Sequence, residues 1–181
     1  MAYEKLGYSL GAAGASYNLG LLAQDRGQLD EALALYQKTE RAAAEIGDAY
    51  LLSLARSSAG TVYLKKGDLQ RATLLVKQAL EVCQTMERAR GTADNLRKLG
   101  EIALASGDPE RALAYGADAL GRARELGKRD AEAEALELSS GALERLGRCS
   151  EALQAFREAT ALRLELRNAE AVARVNKLRL A

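Results

Sequence analysis

A glycine recurs every 40 residues along this chain, at Gly27, Gly67, Gly107 and Gly147, and each is followed five positions later by an alanine. The four windows read GQLDEAL, GDLQRAT, GDPERAL and GRCSEAL. A fixed period of this length, with helical periodicity and no strand signal, indicates stacked helix pairs that bury their apolar faces against one another. The chain is therefore expected to be an array of one repeated unit.

Composition favours an all-α protein. The chain has 181 residues, of which 48% are hydrophobic, a formal net charge of +1 and a single proline, Pro109. Alanine, leucine, glutamate and arginine dominate, which is typical of helices. A charge near zero argues against general nucleic-acid binding, which needs a basic excess. The sequence has no signal-like leader and no long apolar run, so we predict a cytoplasmic protein without membrane association.

Catalysis is not expected, because the sequence contains no histidine. That absence removes histidine-based triads, most acid–base relays near neutral pH and most zinc sites. Carboxylates such as Glu132, Glu134 and Glu137 fit exposed helix positions better than a buried pair. Cys83 and Cys149 fall at different places within the repeat, which argues against a disulfide framework. We therefore predict no enzyme activity, no cofactor and no metal.

Stop signals at glycines divide each unit into two helices. In the first full copy, helix A is predicted over about residues 13–26 and helix B over about residues 30–46. Residues 1–181 would then form a single array. Residues 1–12 would be the remnant of a preceding helix B that ends at Gly7, and residues 168–181 a C-terminal capping or connecting helix that begins near Asn168. Between them lie four repeats, at residues 13–52, 53–92, 93–132 and 133–167. The truncated first unit and the basic run Arg174, Lys177 and Arg179 predict a gene that extends in both directions.

Glycines also lie inside helix A, where each costs about 1 kcal/mol relative to alanine. We interpret Gly20, Gly60 and Gly100 as points where helix A approaches helix B closely. These glycines share a face with Leu19, Leu99 and Tyr63, which are predicted to be core residues. Helix A is therefore expected to turn one face to helix B and to leave the opposite face accessible.

The pattern resembles the tetratricopeptide repeat over nearly the whole chain. That family combines two small residues, a preceding large apolar residue, a glycine in the turn and an aromatic residue in helix B. Matching positions are Leu19, Gly20, Gly27, Ala32 and Tyr36; Ala59, Gly60, Tyr63, Gly67 and Ala72; Leu99, Gly100, Gly107 and Ala112; and Gly147, Ala152 and Phe156. Ser140 replaces a glycine, and Val76 and Gly116 replace the aromatic residue. The longer unit resembles a subgroup of bacterial signalling and scaffold proteins.

The resemblance implies an all-α, right-handed superhelical solenoid of antiparallel helix pairs, with about four full repeats plus a terminal helix. Its concave groove, lined by helix A, would receive a protein or an extended peptide. Candidate groove residues are Tyr17, Asn18, Leu21, Gln24, Ser57, Ser58, Thr61, Asp94, Arg97, Lys98, Glu101 and Glu137. Because cations select acidic groups, an acidic ligand group is expected near Arg97 and Lys98.

We predict a protein- or peptide-binding module that is the sensory or regulatory part of a larger cytoplasmic signalling protein. One alternative is a structural assembly element that self-associates through the ends of the array. A weaker alternative is a segment of an effector-gated transcriptional regulator whose basic C-terminal helix touches DNA. Groove binding should depend on Arg97 and Lys98, whereas assembly should not.

Overall fold

The computed structural model describes the backbone of residues 2–179 and the side chains of residues 11–173. Over the described backbone the regular structure consists of eight helices and no strand. These helices are α1 (Ala2–Asp25), α2 (Leu29–Ile46), α3 (Ala49–Lys65), α4 (Leu69–Thr85), α5 (Ala89–Ala105), α6 (Pro109–Glu125), α7 (Arg129–Arg145) and α8 (Cys149–Arg179). The predicted all-α class is confirmed. None of the helices in this described part is long and apolar enough to cross a membrane.

The chain divides into two compact units, residues 1–91 and 92–181, with the boundary inside α5. In the first unit α1 packs on α2, α2 on α3, and α3 on α4. In the second unit α6 packs on α7 and α7 packs on α8. Odd-numbered helices correspond to helix A and even-numbered helices to helix B. The tetratricopeptide-like helix pairs are thus confirmed, while the exact repeat boundaries stay a prediction.

The predicted stop signals lie at helix ends. Gly47 follows α2 with a φ of 73°, in the left-handed region that a residue without a Cβ adopts at little cost. Five further glycines with positive φ occupy the corresponding turns, at positions 27, 67, 107, 127 and 147. In the turn after α4 the chain instead has Glu87, with a φ of 53°. A side chain in this conformation costs roughly 1–2 kcal/mol.

The glycines inside helix A do lie against helix B. A Cβ on Gly60 would be 2.5 Å from Cγ2 of Val76 and 3.2 Å from the carbonyl oxygen of Ala72. A Cβ on Gly20 would be 2.6 Å from the ring of Tyr36. Close packing, rather than access for a ligand, therefore explains these glycines.

The two ends of the chain differ from the prediction. Helix α1 runs without a break through Gly7, so no preceding helix ends there. Helix α8 likewise continues past Asn168 to Arg179, because no glycine or proline interrupts residues 149–179. Over the described backbone, residues 2–12 and 168–179 are thus parts of longer helices, and the predicted domain bounds stay a prediction. The side chains of the basic run Arg174, Lys177 and Arg179 lie outside the described residues.

One predicted core residue is also wrong. Leu99 is buried as expected, but Leu19 is 53% exposed. Among the described residues α1 packs on α2 and α3, and neither helix buries Leu19. Leu19 therefore lies on a face that the described residues leave open.

Candidate interaction surface

In the first unit, the helix A face of α1 combines the half-buried Tyr17, which packs on the buried Tyr36 of α2, with an exposed amide. Tyr17 and Leu21 are half-buried, and Asn18 is exposed. The Tyr36 hydroxyl donates a hydrogen bond to Oε1 of Gln24 at 3.0 Å. The Tyr17 and Tyr36 rings lie 5.8 Å apart between centroids, tilted by 45°. The apolar part of this face is thus fixed by ring packing, and Asn18 is the amide left accessible beside it.

Tyr36 acts as a neutral donor within this cluster. The side chain is fully buried. Burial, reinforced by the neighbouring Tyr17, raises the pKa of Tyr36 to about 12. The hydroxyl therefore keeps its proton at neutral pH and holds the Gln24 amide in place.

The three predicted groove residues on α3 are less accessible. Ser57 and Ser58 are buried, and the Ser58 hydroxyl lies 3.2 Å from the Tyr17 hydroxyl. The Thr61 hydroxyl donates to the carbonyl oxygen of Ser57 at 3.2 Å. Because α3 packs against both α2 and α4, most of its circumference is covered. The two serines therefore support the fold, and the expectation that they face a ligand is wrong.

In the second unit, the predicted groove residues form a network of charges between α5 and α7. Arg97 contacts Asp94 through Nη2 at 2.9 Å, Glu101 through Nη1, and Glu134 on α7 through Nε at 3.1 Å. Lys98 Nζ lies 2.9 Å from Oδ2 of Asp94. Arg97 thus contacts three carboxylates, one of which also contacts Lys98, and the formal charge of these five side chains is −1.

The shifted pKa values follow from this arrangement. For Asp94, burial acts to raise the pKa, but Lys98 and Arg97 outweigh it and hold the pKa below its usual value. For Arg97, burial acts to lower the pKa, but the carboxylates of Glu101 and Asp94 raise it overall. For Glu101, burial dominates over the nearby cations and raises the pKa. Arg97 is thus firmly charged, and Glu101 is the carboxyl that its surroundings stabilise least in the charged form.

Glu137, the last predicted groove residue, is also paired within the unit. The Arg163 guanidinium of α8 donates to both oxygens of Glu137, through Nε at 2.9 Å and Nη2 at 3.0 Å. This planar two-point contact ties α7 to α8 at the surface. Glu137 is exposed, but its carboxylate already has a partner.

The structure gives no support to the expected acidic ligand group near Arg97 and Lys98, because both cations already contact carboxylates of the same unit. Such a group would have to displace Asp94 or Glu101 from these cations. Part of the signal was present in the sequence, because Asp94, Arg97 and Glu101 have the i, i+3 and i+4 spacing of helix ion pairs. The contact of Arg97 with Glu134 joins two helices, and only the tertiary structure reveals it.

Two tyrosines on α3, Tyr50 and Tyr63, were not among the predicted groove residues. The Arg71 guanidinium lies 5.2 Å from the ring centroid of Tyr63, and that of Arg88 lies 4.8 Å from the ring centroid of Tyr50. Both contacts are within cation–π range. The sequence does carry a signal for these cation–π contacts. Each tyrosine lies on a helix A, and an arginine follows it in the next helix or in the turn after that helix. Among the side chains described, no group of acidic and cysteine residues could hold a metal ion.

The family model described as tetratricopeptide repeat matches residues 11–85 and 91–165. These matches cover most of the chain, and the chain belongs to the tetratricopeptide repeat family. At the level of the family, it is a protein-interaction module. No curated protein matches the sequence.

Three solved structures share the fold. BtubC (BKLC) from P. vanneervenii has a TM-score of 0.75 and 18% identity, with 86% of this chain and 64% of BtubC covered. A Rap protein in complex with Competence and Sporulation Factor has a TM-score of 0.76 and 20% identity, with 83% of this chain and 42% of the Rap protein covered. Kinesin light chain repeats from Podosopora anserina have a TM-score of 0.64 and 16% identity, with 85% and 76% covered. The chain thus spans less than two thirds of the first two proteins, and at these identities the likeness concerns the fold alone.

Proposed function

We propose that the chain recognises a protein or an extended peptide on its helix A faces, as the sensory or regulatory part of a larger cytoplasmic signalling protein. The observation that carries this proposal is the face of α1. An exposed amide at Asn18 stands beside the half-buried Tyr17 and Leu21. Recognition of an extended backbone uses such a combination, in which amides bind the main chain and apolar side chains form shallow pockets.

The larger signalling context belongs to the proposal. The Rap protein is a longer chain with the same fold, of which this chain covers 42%, and its structure contains a bound factor. The chemistry of the helix A faces determines which kind of partner the chain would bind.

The charges in the second unit favour a basic group on the partner. The carboxylates of Asp94, Glu101 and Glu134 outnumber the cations of Arg97 and Lys98. Side chains of these three acids are each more than a third exposed. A lysine or arginine of a ligand would neutralise the excess negative charge, whereas an acidic ligand would add to it. The proposed ligand therefore carries a basic residue where it meets α5 and α7.

A random peptide library displayed on phage, selected on the purified chain, tests this proposal. Peptides that bind the second unit should be enriched in lysine and arginine, and their affinity should fall on Glu101→Lys. Peptides that bind the first unit should lose affinity on Asn18→Arg. Gln37→Arg, on the exposed face of α2, is the matched control for Asn18→Arg, because it adds the same single positive charge to a helix B. The control should bind like wild type.

Two outcomes would overturn the proposal. Peptides enriched in aspartate and glutamate that lose affinity on Lys98→Glu would reverse the charge preference. Binding that survives both helix A substitutions but falls on Gln37→Arg would place the ligand on helix B.

A further inference from the structure

A hydroxyl group of α2 holds the Gln24 amide of α1 in one orientation. The Tyr36 hydroxyl donates a hydrogen bond to Oε1 of Gln24 at 3.0 Å. A glutamine amide has one carbonyl oxygen, which accepts hydrogen bonds, and one NH2 group, which donates them. Because the oxygen is already bound to Tyr36, the NH2 group is the part that remains for other contacts. Gln24 therefore offers a donor rather than an acceptor.

This donor is accessible. Within the described part of the chain, Nε2 of Gln24 has no hydrogen-bond partner, whereas every buried polar side-chain atom has one. Nε2 is therefore not buried, which agrees with the half-buried state of the whole residue. Because the amide is already partly shielded from water, an acceptor from a ligand would add a hydrogen bond at a low cost of desolvation.

Tyr36 is fixed in place, so the orientation of Gln24 is fixed as well. The Tyr36 side chain is fully buried. Its ring packs against Tyr17, and it fits beside α1 because Gly20 has no side chain. A Cβ on Gly20 would lie 2.6 Å from Cε1 of Tyr36. The hydroxyl that binds Gln24 therefore has little freedom to move.

The repeat itself does not require this pair. The corresponding positions one, two and three repeats later are Leu64, Leu104 and Glu144 for Gln24, and Val76, Gly116 and Phe156 for Tyr36. None of these pairs can form the hydrogen bond of the first repeat. Helix pairs of the same fold are thus built without it, and packing alone does not account for Gln24 and Tyr36.

The position of Gln24 is accessible inside an array as well as at its end. Leu64 is the equivalent residue on α3, and both α2 and α4 pack on that helix. Leu64 is nevertheless only half-buried, as is Leu104 on α5. Neighbouring repeats therefore leave this part of helix A uncovered, so the accessibility of Gln24 does not depend on what precedes α1.

We propose that the Gln24 amide, positioned by Tyr36, donates a hydrogen bond to a main-chain carbonyl of an extended peptide bound along α1. The proposal rests on peptide recognition by the α1 face. Tyr17, Leu21 and Gln24 have i, i+4 and i+7 spacing and form one stripe along the helix. At a rise of 1.5 Å per residue the stripe is roughly 10 Å long, which about three residues of an extended chain would span. Side chains of the peptide would pack on Tyr17 and Leu21 while its main chain reaches Gln24.

A neutral carbonyl fits this place better than a carboxylate. Asp25 directly follows Gln24, is exposed, and lies close enough for its charge to help raise the pKa of Tyr36. The same negative charge would repel a carboxylate bound to Gln24, whereas a main-chain carbonyl has no net charge. The acceptor is therefore assigned to the main chain of the ligand.

The affinity of a phage-selected peptide for Gln24 variants tests the proposal. The probe is a peptide that loses affinity on Asn18→Arg and therefore binds along α1. Gln24→Glu keeps an acceptor for Tyr36 but removes the NH2 donor. It should weaken binding by about 3- to 10-fold or more, as expected for the loss of one neutral hydrogen bond. Gln37→Glu makes the same chemical change on the exposed face of α2, and this matched control should bind like wild type.

A double-mutant cycle tests the positioning role of Tyr36. Tyr36→Phe keeps the ring but removes the hydroxyl, so the Gln24 amide can turn and the affinity should fall. In a Gln24→Met chain, which has no amide to position, Tyr36→Phe should leave the affinity unchanged. A merely structural role would lower the affinity in both backgrounds. Circular dichroism checks that each variant keeps its helices.

Alanine replacement along the peptide identifies the acceptor. No single replacement should abolish the effect of Gln24→Glu, because the acceptor belongs to the main chain. One acidic residue whose replacement abolishes that effect would contradict the assignment and identify a carboxylate.

The outcomes separate this proposal from peptide recognition itself. Unchanged affinity of Gln24→Glu, for a peptide that Asn18→Arg weakens, would refute the role of Gln24 and leave recognition by α1 standing. An equal loss on Tyr36→Phe in both backgrounds would refute the positioning role. If no selected peptide loses affinity on Asn18→Arg, both proposals fail for α1.

Discussion

Gly60→Ala tests most directly whether close packing explains the glycines of helix A. The added Cβ would lie 2.5 Å from Cγ2 of Val76 and 3.2 Å from the carbonyl oxygen of Ala72. Val76 is fully buried, and its branched side chain has little freedom to move within a helix. Helix α3 or α4 must therefore shift to accept a single methyl group.

The magnitude follows from two opposed effects. Replacing a glycine inside a helix by alanine gains about 1 kcal/mol. Overpacking a buried contact costs roughly 1–3 kcal/mol. The free energy of unfolding should therefore stay level or fall by as much as about 2 kcal/mol. Each 1 kcal/mol corresponds to about 2–4 °C in Tm for a chain of this size.

Gly121→Ala is the matched control, because it is the same chemical change in open space. No atom lies within 4 Å of a Cβ built on Gly121, which is an exposed residue of α6. Its Tm should rise by about 2–4 °C, since only the gain in helix propensity applies. Thermal unfolding followed by circular dichroism measures both variants.

A double-mutant cycle locates the cause of the effect. Val76→Ala removes the methyl group that the new Cβ meets, so the double variant with Gly60→Ala should lose less stability than the two single losses added together. An equal rise in Tm for Gly60→Ala and Gly121→Ala would refute the reasoning. Additive losses in the cycle would show that Val76 is not the obstacle.

Three further predictions concern a turn, a buried tyrosine and the charged network. Glu87→Gly should raise the free energy of unfolding by about 1 kcal/mol in urea titrations, because it relieves a left-handed backbone, whereas Glu87→Ala should give no gain. The free energy of unfolding of the wild type should fall between pH 10 and about 12, because the pKa of Tyr36 is higher in the folded than in the unfolded protein. In Tyr36→Phe, the free energy of unfolding measured against pH should lack this contribution to the decrease. Asp94→Asn should lower Tm at neutral pH, with the difference from wild type shrinking as the pH falls through the lowered pKa of Asp94; a difference that persists in acid would contradict this.

The sequence was sufficient for features that depend on local structure. Gly27 and Gly147 mark helix ends because a left-handed turn excludes most side chains, and that preference needs no knowledge of the tertiary fold. The close approach at Gly60 was also predictable, since a glycine inside a helix needs a reason. At the chain ends, glycine alone was a poor guide, because Gly7 lies within a continuous helix.

Features that depend on neighbouring helices were not predictable in the same way. Leu19 fits the core pattern of its repeat, but no helix of the described residues covers it. Ser57 and Ser58 fit an accessible stripe, yet the packing of α2 and α4 around α3 covers them. The sequence did not reveal that Arg97 contacts Glu134, because Glu134 lies on another helix. In each case the sequence defined the position within the repeat, and the neighbouring helices decided the exposure.

Photo-cross-linking of a selected peptide tests the central claim, that helix A faces bind the partner. The peptide would carry a benzophenone side chain, and mass spectrometry would locate the residues to which it attaches. The account predicts attachment on α1, α3, α5 or α7, with residues such as Asn18 and Leu21 among the sites. Attachment confined to α2, α4, α6 and α8, with no adduct on any helix A, would contradict it.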